Sequence, residues 1–125
     1  MIRKLQIIFI YIYLVQIKIN IRVFGLNNVI KKIHQKPLIT KVIKVDLSDN
    51  LLATLNRFYK KRFFSCLECA IFLKRFFSNI PELRLFIGIK NKNQDFESHA
   101  WIKKDEKYIF GLTKDINEYK EILKI

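Results

Sequence analysis

Glycine and proline are scarce in this chain, with 3 and 2 copies among 125 residues. So few turn formers leave little room for a loop-rich sandwich or a propeller. The glycines, Gly25, Gly88 and Gly111, stand far apart, which excludes a glycine-rich phosphate loop. Cysteine is limited to Cys66 and Cys69. Adjacent on one helical turn, they make a poor disulfide, and a disulfide framework needs more of them. A reducing, cytoplasmic setting is therefore expected. Acidic residues are absent before Asp46, while nine Lys or Arg precede it.

What is present is a globular composition: 50% hydrophobic, 14% aromatic and 28% charged. That excludes intrinsic disorder, collagen-like repeats and low-complexity polymer. A chain of this length buries roughly two-thirds of its unfolded surface. One domain over 1–125 is expected, with a basic apolar segment (1–46) ahead of a core (47–125). Lys and Arg total 24 against 11 acids, a net charge of +13. Such a field attracts acidic peptides, nucleic acid or an anionic membrane surface. The abundance of Ile, Lys, Asn and Phe also fits an AT-biased genome, which would make part of the charge mutational drift.

Met1-Ile2-Arg3-Lys4 followed by Ile7 to Val15 has the outline of a signal peptide, but no small-residue cleavage site follows. The uninterrupted apolar run is nine residues, short of the ~18 expected of a spanning helix. Peripheral membrane contact by this segment stays open. Residues 13–24 alternate apolar and polar (Val15, Gln16, Ile17, Lys18, Ile19, Asn20, Ile21, Arg22), which predicts a strand. Gly25-Leu26-Asn27-Asn28 predicts a turn. Residues 29–36 read as a short basic helix broken by Lys36-Pro37, and 38–46 as extended chain or loop.

Ser48 or Asp49 can cap a helix to about Lys61, with Leu51, Leu52, Leu55, Phe58 and Tyr59 on one stripe. Ser65-Cys66-Leu67-Glu68 matches a capping box, with Ser65 at N-cap and Glu68 at N3. The apolar run that follows predicts a buried helix ending near Asn79, ahead of Pro81. Cys66 would be its first residue. Leu83–Ile89 predicts a strand and 91–95 a polar loop. Ser98–Lys103 and Lys107–Leu112 predict a hairpin around Lys104-Asp105-Glu106. Lys114 onward reads as a short terminal helix. Helices first and an antiparallel sheet afterwards argue an α+β fold.

A thiol at a helix N-terminus faces unpaired N–H groups and the positive end of the dipole, and both favour thiolate. Those N–H groups can also stabilise an oxyanion. Cys66 alone fits equally a small core residue at a helix start. His99, on a predicted strand, supplies the imidazole that a cysteine nucleophile uses as its base; it also fits a surface His in a hairpin. His34, among Lys31, Lys32 and Lys36, reads as solvated. Cys66-x-x-Cys69 lacks the βαβ context of thiol–disulfide exchange. Zinc would need two more ligands, and His34 and His99 lack zinc spacing. No metal or cofactor is expected.

The order Cys66-Leu67, an apolar helix, Leu85-Phe86-Ile87-Gly88-Ile89, a polar loop and Ser98-His99-Ala100-Trp101 resembles a known family. It is similar to the leader peptidase of lasso-peptide (microcin-type) biosynthesis, the C-terminal domain of the lasso B protein. The resemblance covers about half the chain, from residue 51 to 112. It implies a transglutaminase-like, papain-like cysteine protease fold, with N-terminal helices packed on a small antiparallel sheet. It also implies a helical N-terminal segment, against the alternation over 13–24. Cys66 would be the nucleophile and His99 its base, with Trp101 packed over the site. The substrate would be a ribosomally made precursor peptide, held by a separate leader-recognition protein and passed to a lasso cyclase. The family's orienting Asp is missing from its usual place on the partner strand, where Gly111 and Leu112 fall. Asp115 is the nearest later acid; otherwise the site runs as a Cys/His dyad or the copy is degenerate. Two other readings stand beside this one. The first is a basic nucleic-acid-binding module, from the interleaved Arg57 to Phe64 stretch. The second is a catalytically inactive scaffold of the same fold.

Overall fold

A computed structural model describes residues 4–34, 46–93 and 95–125. The loop expected over 38–46 lies almost wholly outside the described residues. Two helices open the chain, α1 (Lys4–Phe24) and α2 (Leu26–Lys31). Two more follow, α3 (Asp49–Lys60) and α4 (Cys66–Phe76). Four strands complete it: β1 (Leu83–Lys92), β2 (Asp95–Lys104), β3 (Lys107–Phe110) and β4 (Lys120–Lys124). The strands form one antiparallel sheet in the order β3-β2-β1-β4. The fold is α+β.

The strand expected over 13–24 is instead the second half of α1. Its alternation is incidental to a segment rich in isoleucine. Ile10, Tyr13, Leu14 and Ile17 recur at helical spacing and are the side chains α1 buries. They join one core with Leu51 and Leu55 of α3, Ile71 and Phe72 of α4, and Leu85 and Ile102 of the sheet. The N-terminal segment is thus built into the same core as the rest. Leu5, Ile8, Ile12, Ile19 and Val23 of α1 stay exposed. By length and composition α1 could cross a membrane. The expected turn at 25–28 shrinks to Gly25, whose φ of 85° lets the chain break and restart as α2 at Leu26.

Ser48 caps α3 by accepting from the Leu51 N–H at 3.3 Å. The capping box of α4 is complete. The Ser65 N–H donates to Glu68 Oε1 at 2.8 Å, and the Glu68 N–H donates to Ser65 Oγ at 3.2 Å. The helix ends at Phe76, before the expected Asn79. The polar loop expected over 91–95 is mostly strand, because β1 and β2 stay paired from Leu83↔Lys104 to Lys92↔Asp95. The hairpin at Asp105 forms with that residue at φ 54°.

The expected terminal helix is corrected to a 3₁₀ turn (Ile116–Glu118) followed by β4. A short polar helix offers little apolar surface to bury, whereas β1 has an open edge with unpaired backbone groups. β4 fills that edge, and Leu85 and Ile125 exchange backbone hydrogen bonds of 2.9 and 2.8 Å.

Candidate active site

The site forms where α4 begins against an unpaired stretch of β2. β3 is short, and its ladder with β2 reaches only from Lys104 to Ile102. Beyond it, residues 99–101 keep a free outer edge, and the first turn of α4 is brought there. Cys66 is partly exposed. The His99 imidazole and the backbone N–H groups of Ala100 and Leu67 lie beside its thiol. Burial pushes the thiol toward its protonated form, but the His99 contact, those two N–H groups and the His99 charge outweigh it. The net result is a pKa below the ordinary thiol range.

His99 is buried, with 5% of its surface exposed. Its Nε2 lies 2.6 Å from the Gly111 carbonyl oxygen. A carbonyl only accepts, so Nε2 carries the proton and donates. That fixes the tautomer and leaves the Nδ1 lone pair for the Cys66 proton. The Cys66 contact raises the His99 pKa most; burial works against it, and the Gly111 bond and the charges of Cys66 and Asp115 add to it. A lowered thiol beside a raised imidazole is the signature of a thiolate–imidazolium pair.

The sequence-predicted residues therefore divide. Cys66 and His99 meet. Asp115 makes no hydrogen bond with the ring and reaches it only through its charge. Its carboxylate accepts from Thr113 Oγ1 at 2.8 Å and pairs with Lys90. Those contacts hold it well below the usual carboxylate range, at about 2, with Lys90 the largest cause. The Gly111 carbonyl stands where the acid was sought. Gly111 has φ 88°, and a Cβ there would meet the Ala100 carbonyl oxygen at 2.7 Å. Glycine is thus required for the chain to press against β2 and deliver that oxygen.

Trp101 stacks beside His99, with ring centroids 6.0 Å apart, and parallel to Phe86 at 5.8 Å. It lies over Gly88, where a Cβ would meet its ring at 2.8 Å. Tyr119 closes the same side, 5.4 Å from the His99 ring. Cys69, one turn beyond Cys66, is fully buried, and burial pushes its thiol up to about 12. It is inert at neutral pH, which removes the exchange chemistry of the C-x-x-C spacing. His34 is exposed. Among the described residues no three His, Cys, Asp or Glu side chains converge as metal ligands.

A family model described as the transglutaminase-like superfamily matches residues 14–124. The chain belongs to the transglutaminase-like superfamily. The match starts inside α1 and runs through β4, so this transglutaminase-like domain takes in the second half of the N-terminal helix and spans most of the chain. Neither the curated proteins nor the solved structures contain a significant match.

Two cavities meet at Tyr59 in this transglutaminase-like domain, one of them at the start of α4. One, of about 440 Å³, is lined by Lys18, Ile21, Arg22, Tyr59, Arg62, Phe64, Ser65 and Glu68. The other, of about 240 Å³, is bounded by Asn56, Tyr59, Tyr108 and residues 109–113, including Gly111. Tyr59 lines both, and burial together with the nearby Cys66 charge raises its pKa. Periodicity marked Tyr59 only as part of the apolar stripe of α3. Its place between the cavities depends on the chain reversal after α3, which periodicity does not encode.

Proposed function

We propose that this transglutaminase-like domain is a cysteine peptidase that removes the leader from a ribosomally made, lasso-type precursor peptide. The observation that carries the reading is the meeting of Cys66 and His99 at the N-terminus of α4, where each shifts the other toward its charged form. The Cys66 thiolate would attack the scissile carbonyl carbon, and the oxygen would take the electron pair as an oxyanion. As first residue of α4, Cys66 has an N–H without a helical acceptor, suited to that oxyanion. The His99 imidazolium would then protonate the leaving amine as the C–N bond breaks, leaving a thioester on Cys66. Water, deprotonated by His99, would attack the thioester, releasing the acid and restoring the thiol.

Catalysis by a Cys/His pair held by a backbone carbonyl fits the absence of a side-chain carboxylate on the ring. The same reading places the domain in the cytoplasm, with a separate leader-recognition protein and a lasso cyclase as partners. The resemblance around Cys66-Leu67 and His99-Ala100-Trp101 supports the substrate class. Incubation with precursor peptide and recognition protein tests the proposal by mass spectrometry. The expected result is a free core peptide that disappears with Cys66→Ala. Cleavage that persists in that variant overturns it.

A further inference from the structure

The larger cavity beside α4 is cationic, and the proposed chemistry leaves its charges unused. Lys18 and Arg22 come from α1, and Arg62 comes from the reversal after α3. The Lys18 ammonium reaches the Phe63 carbonyl at 3.4 Å and lies 5.9 Å from the Phe64 ring centroid, so it is drawn along the cavity wall. Arg62 has φ 61°, a left-handed conformation that costs an arginine energy and turns the chain toward Ser65. The carboxylate in the wall, Glu68, is committed to the capping box through the Ser65 N–H. Three cations therefore outnumber the one carboxylate in the wall. Ser65, in the same wall, is the residue before the nucleophile.

From this arrangement we infer a subsite for an acidic side chain of the substrate, formed by Lys18, Arg22 and Arg62 and placed next to the scissile bond. The inference deepens the peptidase reading and rests on it. A peptide crossing Cys66 in extended form advances about 3.3 Å per residue, so a side chain close to the attacked carbonyl can enter the cavity. Arginine donates in a planar fork that matches a carboxylate, which gives the subsite geometry as well as charge. Tyr59 lines both this cavity and the smaller one by Gly111. A second class of anion, nucleic acid, would engage the same cations without regard to the neighbouring thiol.

The test uses the full chain together with the leader-recognition protein and two synthetic precursor-peptide mixtures, identical except for Glu or Gln at each scanned position. Cleavage is read by mass spectrometry, and binding to the Cys66→Ala chain by fluorescence anisotropy. The expected result is a preference for Glu over Gln of about tenfold in kcat/KM, carried by KM and weakened by salt. That ratio falls toward one in Arg22→Gln/Arg62→Gln, whose positions are exposed, and reverses toward Lys peptides in Arg62→Glu. A ratio near one in the unaltered chain, or a ratio the double variant leaves unchanged, overturns the subsite. Single-stranded oligonucleotide that outcompetes the Glu peptides in anisotropy also overturns it. If neither mixture is cut yet the Glu preference persists in anisotropy, the peptidase reading fails and the subsite stands.

Discussion

At the scale of single residues, the site depends on what holds the His99 ring. Gly111 offers a carbonyl to Nε2 at 2.6 Å, while Asp115 is engaged by Thr113 and Lys90. A carboxylate that orients a triad histidine costs about 10⁴-fold in turnover when neutralised. Asp115→Asn should instead cost less than about tenfold, because it removes only a distant charge. His99→Ala should cost about 10³-fold, since it removes the proton carrier itself. Steady-state kinetics on the two variants separate these cases, and a loss in Asp115→Asn as large as in His99→Ala would make Asp115 the orienter. The residue identities at the site were legible in the sequence, because Cys66 and His99 have chemistries that stand out at their positions. The role of Gly111 was not, because a backbone carbonyl has no side chain to advertise it.

At the scale of elements, α4 carries the nucleophile, and its capping box fixes where the helix starts. Ser65→Ala removes the acceptor for the Glu68 N–H and should lower stability by about 1 kcal/mol. Chemical denaturation measures this, and an unchanged midpoint would mean that packing alone sets the start of α4. The box was readable because four adjacent residues specify it. α3, β1 and the hairpin at Asp105 were readable for the same local reasons. The elements that misled are those decided by distant partners. Residues 13–24 look like a strand by alternation, yet Ile10, Tyr13, Leu14 and Ile17 meet a core built from residues 51 to 102. The terminal segment has a polar pattern compatible with a helix, and the open edge of β1 makes it β4. Tertiary demand outranks weak local preference in both.

At the scale of the whole molecule, one core ties the N-terminal helix to α4 and the sheet that carry Cys66 and His99. Four buried side chains of α1 contribute about 6–12 kcal/mol together by apolar burial. That matches the net stability of a small domain, about 5–15 kcal/mol. Deleting residues 1–24 should therefore abolish cooperative unfolding, which calorimetry can follow; a sharp transition in the truncated chain would show a core independent of α1. The net charge of +13 gives the domain a field that favours acidic partners. The reactive sulfur sits at the meeting of α4 and β2, so its ionisation reports whether the assembled fold does what the account requires. A thiol with a lowered pKa is thiolate where an ordinary thiol is still protonated, and an imidazole with a raised pKa stays charged where an ordinary imidazole is already neutral. The most direct measurement is the pH dependence of iodoacetamide alkylation, mapped by mass spectrometry to each cysteine. The account predicts that Cys66 reacts with a midpoint below the ordinary thiol value of about 8.5 while Cys69 stays unlabelled, and that His99→Ala moves the Cys66 midpoint up toward that value. A Cys66 that alkylates only at that higher pH in the unaltered chain, with the same midpoint in His99→Ala, would contradict it.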